Sequence, residues 1–153
     1  MSLLLLLLLQ APTAQAADRQ ARVELRQKRR ATAQLQEITD SYWQALRWNK
    51  VEQAAAFLVD PDERMDWIAQ GVSEPGKSFR GVRILHIEVG PGLEDDPEGD
   101  EREATVLIEV EVYGSDQVIR REVRQQTWVL RDGSWYVAPG QRVGEPRPQP
   151  SGG

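Results

Sequence analysis

The spacing of apolar residues changes once along this 153-residue chain, and that change limits the folds that the chain can adopt. Before the turn Glu74-Pro75-Gly76, apolar residues recur at helical intervals, whereas after it they alternate with polar residues. Alternation is typical of strands with one face on a core and one face in water, as in antiparallel sheets. The order predicts an α+β fold in which helices pack on one face of a curved antiparallel sheet.

Three helices are predicted before the turn. No glycine or proline occurs from Asp18 to Trp48, and alanine, leucine, glutamine, glutamate and arginine dominate there, which predicts one long helix. Its second half carries a core-facing stripe of Leu35, Ile38, Tyr42, Ala45 and Leu46. A short helix over residues 51–58 follows. The run Asp60-Pro61-Asp62-Glu63 is typical of a helix N-terminus and predicts a third helix that ends before Gly71.

About four strands are predicted after the turn. In the first, Leu85, Ile87 and Val89 are expected on one face and Ile84, His86 and Glu88 on the other. The second covers residues 106–112, and the third covers residues 117–130 with a mixed pattern that we interpret as a bulge. The turn Asp132-Gly133 predicts a hairpin into Trp135. Residues 90–102 are expected to form a solvated acidic loop.

The N-terminus is typical of an export signal. Seven leucines from Leu3 to Leu9 are too few to span a membrane, but they match the apolar region of a signal peptide, and Ala14-Gln15-Ala16 matches a cleavage site. We therefore expect cleavage after Ala16, a periplasmic or secreted location, and no stable membrane anchor. The predicted organisation is a signal peptide (1–16), a basic helical extension (17–31), a cone-shaped α+β domain (32–139) and a disordered tail (140–153).

The basic extension allows three interpretations. Arg19, Arg22, Arg26 and either Arg29 or Arg30 share one helix face, which is compatible with anionic lipid, with nucleic acid, or with simple solvation. Asp18 and Glu24 dilute the face, so solvation is favoured. A net charge of -5 and a pI near 5.0 argue against a nucleic-acid binder.

Composition excludes several chemistries. Without cysteine there is no disulfide, thiol nucleophile or zinc-thiolate site, and the single histidine, His86, excludes a multi-histidine metal site. Asp96, Glu98 and Asp100 alternate like calcium ligands, but the glycine and the final glutamate of a calcium loop are misplaced. We expect no metal, no cofactor and no catalytic residue.

Three segments carry a resemblance to a known family. Tyr42-Trp43-Gln44-Ala45-Leu46, then residues 49–55, then residues 128–137 with Trp128, Gly133 and Trp135, resemble the nuclear transport factor 2-like superfamily over roughly residues 32–139. The resemblance implies a cone-shaped domain with a pocket between the long helix and the concave sheet, and often a dimer formed through the sheet. Trp43, Trp67, Trp128, Gly133 and Trp135 are expected to be structural.

The residues nominated for such a pocket each have a simpler alternative. They are Tyr42, Asp66, His86, Arg121 and Gln125. Tyr42 is compatible with holding an oxygen in the cavity or with capping the core, and His86 with being a general base or a surface residue. Arg121 and Gln125 are compatible with binding a carboxylate or with ion pairing on an exposed face. The side-chain direction of Asp66 is undetermined.

The leading functional hypothesis is an exported, non-catalytic module that binds a small apolar ligand or a protein partner. The first alternative is a pocket enzyme of isomerase or dehydratase type on the same cone, and the second is a structural dimerisation module.

Overall fold

A computed structural model of the protein describes residues 14–70, 77–92 and 101–138. The elements in chain order are α1 (Ala14–Arg47), α2 (Val51–Ala55), α3 (Pro61–Gln70), β1 (Lys77–Gly92), β2 (Arg102–Gly114), β3 (Ile119–Arg131) and β4 (Ser134–Val137). The strands form one antiparallel sheet in the order β1-β2-β3-β4, so the predicted α+β class is confirmed. None of the helices in these ranges is long and apolar enough to cross a membrane. The leucine run, most of the acidic loop and the predicted tail lie outside the described residues.

Local sequence signals explain where the helices begin and end. Asn49 has a φ of 53°, and backbone bonds from Asn49 to Leu46 and from Lys50 to Ala45 end α1 in a Schellman motif. At the start of α3, the Asp60 carboxylate accepts a hydrogen bond from the Asp62 amide at 2.8 Å, which satisfies one of the free N–H groups of the first turn. The chain therefore reverses between α1 and α3 through short, well-capped connections.

The first strand contains irregularities that change which side chains face the helices. Its register against β2 shifts between Phe79 and Gly81, between Ile84 and His86, and between Val89 and Gly92. The shift at Leu85 places Ile84 and Ile87 opposite Ile108 and Val106, both buried. The predicted faces are correct for Ile87 and Val89 on one side and for His86 and Glu88 on the other. They are wrong for the two residues before the shift: Ile84 packs against the core and Leu85 is 41% exposed, because one extra residue reverses the alternation.

The second and third strands pair without interruption, from Arg102 opposite Leu130 to Tyr113 opposite Ile119. The bulge expected in the third strand is thus absent from β3. Every second residue of β2 is buried, at Ala104, Val106, Ile108, Val110 and Val112. These positions define the inner face of the sheet, which packs against the helices. The residues between them define the outer face.

The last hairpin connects β4 to β3 of the sheet and to the helical part of the chain. Asp132 and Gly133 have φ angles of 50° and 75°, as a type I′ turn requires, and glycine takes such an angle without strain. The Val137 amide donates to the Phe57 carbonyl at 2.7 Å, which ties β4 to the chain just after α2. The core therefore lies between the second half of α1, the short helices and the inner face of the sheet.

Candidate functional site

The interior is built around one aromatic side chain. Tyr42 is fully buried, and its ring lies 5.6–5.8 Å from the ring centroids of Trp43, Phe57 and Trp128 in edge-to-face geometry. Trp67 packs at 6.5 Å with its ring tilted by 33°. Edge-to-face pairs at these distances are the favourable ones. The space between α1 and β3 is therefore occupied by aromatic rings around Tyr42.

The Tyr42 hydroxyl is the most perturbed group of this interior. Burial raises its pKa far above the usual value, and the nearby Glu63 carboxylate raises it further, while Gln126 and Arg124 oppose the shift. Gln126 nevertheless does not reach hydrogen-bonding geometry with the hydroxyl, which makes no hydrogen bond to a described residue. Tyr42 is thus a neutral group at physiological pH. It can donate a proton in a hydrogen bond but cannot act as a base.

Two polar neighbours of Tyr42, Gln126 and Arg124, come from the inner face of β3 and were not predicted from the sequence. The oxygen of Gln126 accepts a hydrogen bond from Trp43 Nε1 at 2.9 Å. Arg124 lies 5.5 Å from the centroid of Phe79 and donates to the Glu122 carboxylate at 2.6 Å, with 14% of its side chain exposed. The signal that could have located them is Trp128, because residues at even spacing from a buried tryptophan share its face.

Four of the five nominated pocket residues lie elsewhere. Asp66 is exposed on α3, and His86, Arg121 and Gln125 are exposed on the outer face of the sheet. His86 and Gln125 flank Leu107 in one row across three strands, since each pairs with Leu107. The structure therefore separates Tyr42 from the other candidates and gathers three of those on the surface turned away from the helices.

The outer face carries a groove of about 340 Å³ lined by Gly81, Val82, Arg83, Glu109, Glu111 and Arg121. Arg83 pairs with Glu109 at 3.2 Å, and Arg121 pairs with Glu111 at 3.3 Å. A methyl group at Gly81 would lie 3.2 Å from the Glu111 carboxylate, so the glycine makes room for this acid. Each of the two carboxylates is paired with an arginine on the neighbouring strand. Of the two alternatives for Arg121, this geometry favours ion pairing on an exposed face.

Apolar side chains lie beside these ion pairs. Val123 is 61% exposed on the same row as Arg83 and Glu109, and Leu85 is 41% exposed next to His86. Among the residues that the structure describes, no group of three or more acidic, histidine or cysteine side chains could hold a metal ion. The outer face thus presents exposed apolar side chains next to paired charges of both signs.

Comparison with known proteins gives no identification: no protein-family model and no curated protein matches this chain.

Proposed function

We propose that this chain is a non-catalytic binding module whose outer sheet face docks a protein, first of all a second copy of itself. The main support for this proposal is the composition of the outer face. It presents exposed Val123 on β3 beside two cross-strand ion pairs, Arg83 with Glu109 and Glu111 with Arg121. A two-fold axis through such a surface can set basic groups of one copy against acidic groups of the other.

The size of the face limits how extensive a dimer interface it can form. β2 and β3 are paired over twelve positions, which at ~3.4 Å per residue gives a length of about 40 Å. Three strands at a spacing of ~4.8 Å add a width of about 10–14 Å, including the side chains at the edges. The flat footprint is thus about 400–560 Å², to which the relief of the side chains adds. A standard interface buries ~800 Å² on each partner, so a dimer through this face lies at the small end of the range.

The interior supports the non-catalytic part of the proposal. Tyr42 is enclosed by aromatic rings and stays neutral, while His86 is on the outer face and has no carboxylate bonded to it among the described residues. General acid–base catalysis needs a group within hydrogen-bond reach of a bound substrate, and neither residue lines the groove described above. A small, mostly apolar ligand with one hydrogen-bonding group is the second candidate, favoured by the buried Tyr42 hydroxyl that makes no hydrogen bond to a described residue.

Export and membership in the nuclear transport factor 2-like superfamily belong to the same proposal. Export is supported by the leucine run and the Ala14-Gln15-Ala16 triplet. Membership is supported by the three segments quoted above and by a long helix packed on a bent four-stranded sheet.

The test compares two valines by native mass spectrometry and sedimentation equilibrium. Val123→Asp places a charge on the exposed apolar part of the proposed interface, whereas Val118→Asp makes the same change at a 48% exposed position in the β2–β3 turn. We expect the parent and Val118→Asp to be dimers and Val123→Asp to dissociate at least about tenfold more readily, since burying an unpaired charge is costly. A parent that is monomeric at all concentrations, or equal effects of the two changes, would contradict the proposal. A small molecule retained in the native spectrum of a monomeric parent would favour the second candidate.

A further inference from the structure

Charge is unevenly distributed along the chain. Residues 18–30, here called the basic segment, hold six basic and two acidic side chains and so carry a net charge of +4. The whole chain carries -5, so the remainder carries -9. All residues from 14 to 30 are exposed, and the first buried residue of α1 is Ala31. The basic segment is therefore a positively charged helix that extends from an acidic body.

The five arginines of this segment point away from the body. At about 100° per residue, five arginines fall within an arc of roughly 100°, and they are Arg19, Arg22, Arg26, Arg29 and Arg30. The buried stripe of α1, with Ala31, Leu35 and Tyr42, lies on the opposite side of the same helix. On that side the Gln27 oxygen accepts a hydrogen bond from Arg102 at 3.1 Å. The helix is thus oriented with its arginines toward solvent.

Two exposed apolar residues border the arginine face. Leu25 is 51% exposed on one edge of the arc and Val23 is 47% exposed on the other. Glu24 lies on the opposite side, and the ion pair between Asp18 and Arg22 is long, at 3.9 Å, with both side chains about 80% exposed. An exposed pair of this kind contributes little, so it leaves Arg22 available to a ligand.

From this arrangement we propose that the basic segment binds the surface of an anionic lipid membrane reversibly, lying flat with its arginine face on the phosphate groups. The exposed apolar residues on either side of the arginine face favour lipid over nucleic acid as the ligand. Val23 and Leu25 can enter the boundary between head groups and acyl chains, whereas a nucleic-acid backbone offers them only water. The body stays on the far side of a helix about 10–12 Å thick, comparable to the Debye length of ~10 Å at 0.1 M salt, so its negative charge is largely screened from the membrane.

The experiment measures partition of the full chain onto vesicles of phosphatidylcholine alone and onto vesicles containing phosphatidylglycerol. The quantity compared is the ratio of the two partition coefficients, because any apolar insertion common to both lipids cancels. The test variant replaces Arg22, Arg26 and Arg29 by glutamine, which keeps helix propensity. The control replaces Lys50, Arg80 and Arg131, exposed basic residues of the body, by glutamine. Circular dichroism checks that both variants stay folded.

We expect the parent to prefer phosphatidylglycerol vesicles, to lose that preference at 1 M salt, and to keep it in the control. The test variant should bind these vesicles about a hundredfold more weakly, from the usual contribution of three basic residues near an anionic surface. A ratio near one for the parent, or equal binding by the parent and the test variant, would overturn the proposal. Tighter binding to an oligonucleotide than to phosphatidylglycerol vesicles in the same buffer would also overturn it, in favour of nucleic acid.

Discussion

Replacing Trp135 by alanine removes one of the largest buried side chains of the protein. Trp135 is 2% exposed, and it pairs with Leu130 across the final hairpin. Its strand is only four residues long and carries Val137, which is fully buried and forms a bridge with Leu58. Loss of the indole would therefore open a cavity where the sheet, the hairpin and the chain after α2 meet.

The expected cost follows from the size of the group removed. Changing a buried tryptophan to alanine costs about 3–5 kcal/mol, against a total stability of ~5–15 kcal/mol for a typical domain. Trp135 Nε1 makes no hydrogen bond to a described residue, so no hydrogen-bond loss is added to this figure. For a domain of about this size the cost corresponds to a fall in melting temperature of roughly 10–25 °C.

The assay is thermal and urea unfolding followed by circular dichroism, with Trp48→Ala as the matched control. Trp48 is 65% exposed and has the Arg47 guanidinium 5.3 Å from its ring centroid, so the same substitution there should cost less than about 1 kcal/mol. We expect Trp135→Ala to be unfolded or strongly destabilised and Trp48→Ala to resemble the parent. If both variants melted within a few degrees of the parent, the inner position of Trp135 would be wrong.

Two further predictions concern polar groups. Tyr42→Phe removes a buried hydroxyl without a hydrogen bond to a described residue, so we expect unchanged or higher stability in urea unfolding, and a loss above about 1 kcal/mol would reveal a bond with Gln126. The Arg120 hydrogen bond is the main reason that the pKa of Asp116 is lowered from 3.8 to about 2. A lowered pKa stabilises the folded state above the ordinary value, and this contribution is lost as the pH falls toward about 2. Arg120→Gln should raise the Asp116 pKa in a carboxyl NMR titration, and Arg131→Gln should not; equal midpoints for parent and Arg120→Gln would refute the assignment.

Much of the fold was predictable because the relevant signals are local. The end of α1 at Asn49, the cap of α3 at Asp60 and the turn at Asp132-Gly133 each depend on a few adjacent residues. The switch from helical to alternating spacing then predicts the class of the fold. These signals act through backbone angles and hydrogen bonds within one turn, so no knowledge of tertiary contacts is needed to interpret them.

The faces of β1 were not predictable in the same way. No glycine or proline marks the irregularity at Leu85. Apolar residues stand at both even and odd positions around it, Ile84 and Ile87 among them, so alternation alone does not indicate which face is buried. The bulge is selected by the fit of Ile84 and Ile87 against β2, which is a contact between distant parts of the chain. Consequently the spacing predicted the strand and placed His86 opposite Ile87, but it assigned Ile84 and Leu85 to the wrong faces.

The third strand shows why hydrophobicity alone misplaces the candidate site. Its inner face carries Gln126, Arg124 and Glu122, whereas the apolar Val123 faces outward. Trp128, with no exposed surface, determines which residues of β3 face inward. A shift of the strand by one residue would expose the indole at a cost of several kcal/mol, so the polar residues at even spacing from Trp128 stay on the inner face. The inward polar groups are then satisfied by Trp43 and by the Arg124–Glu122 pair. Because Val123 is an odd number of residues from Trp128, the packing of this tryptophan also places Val123 on the proposed docking face.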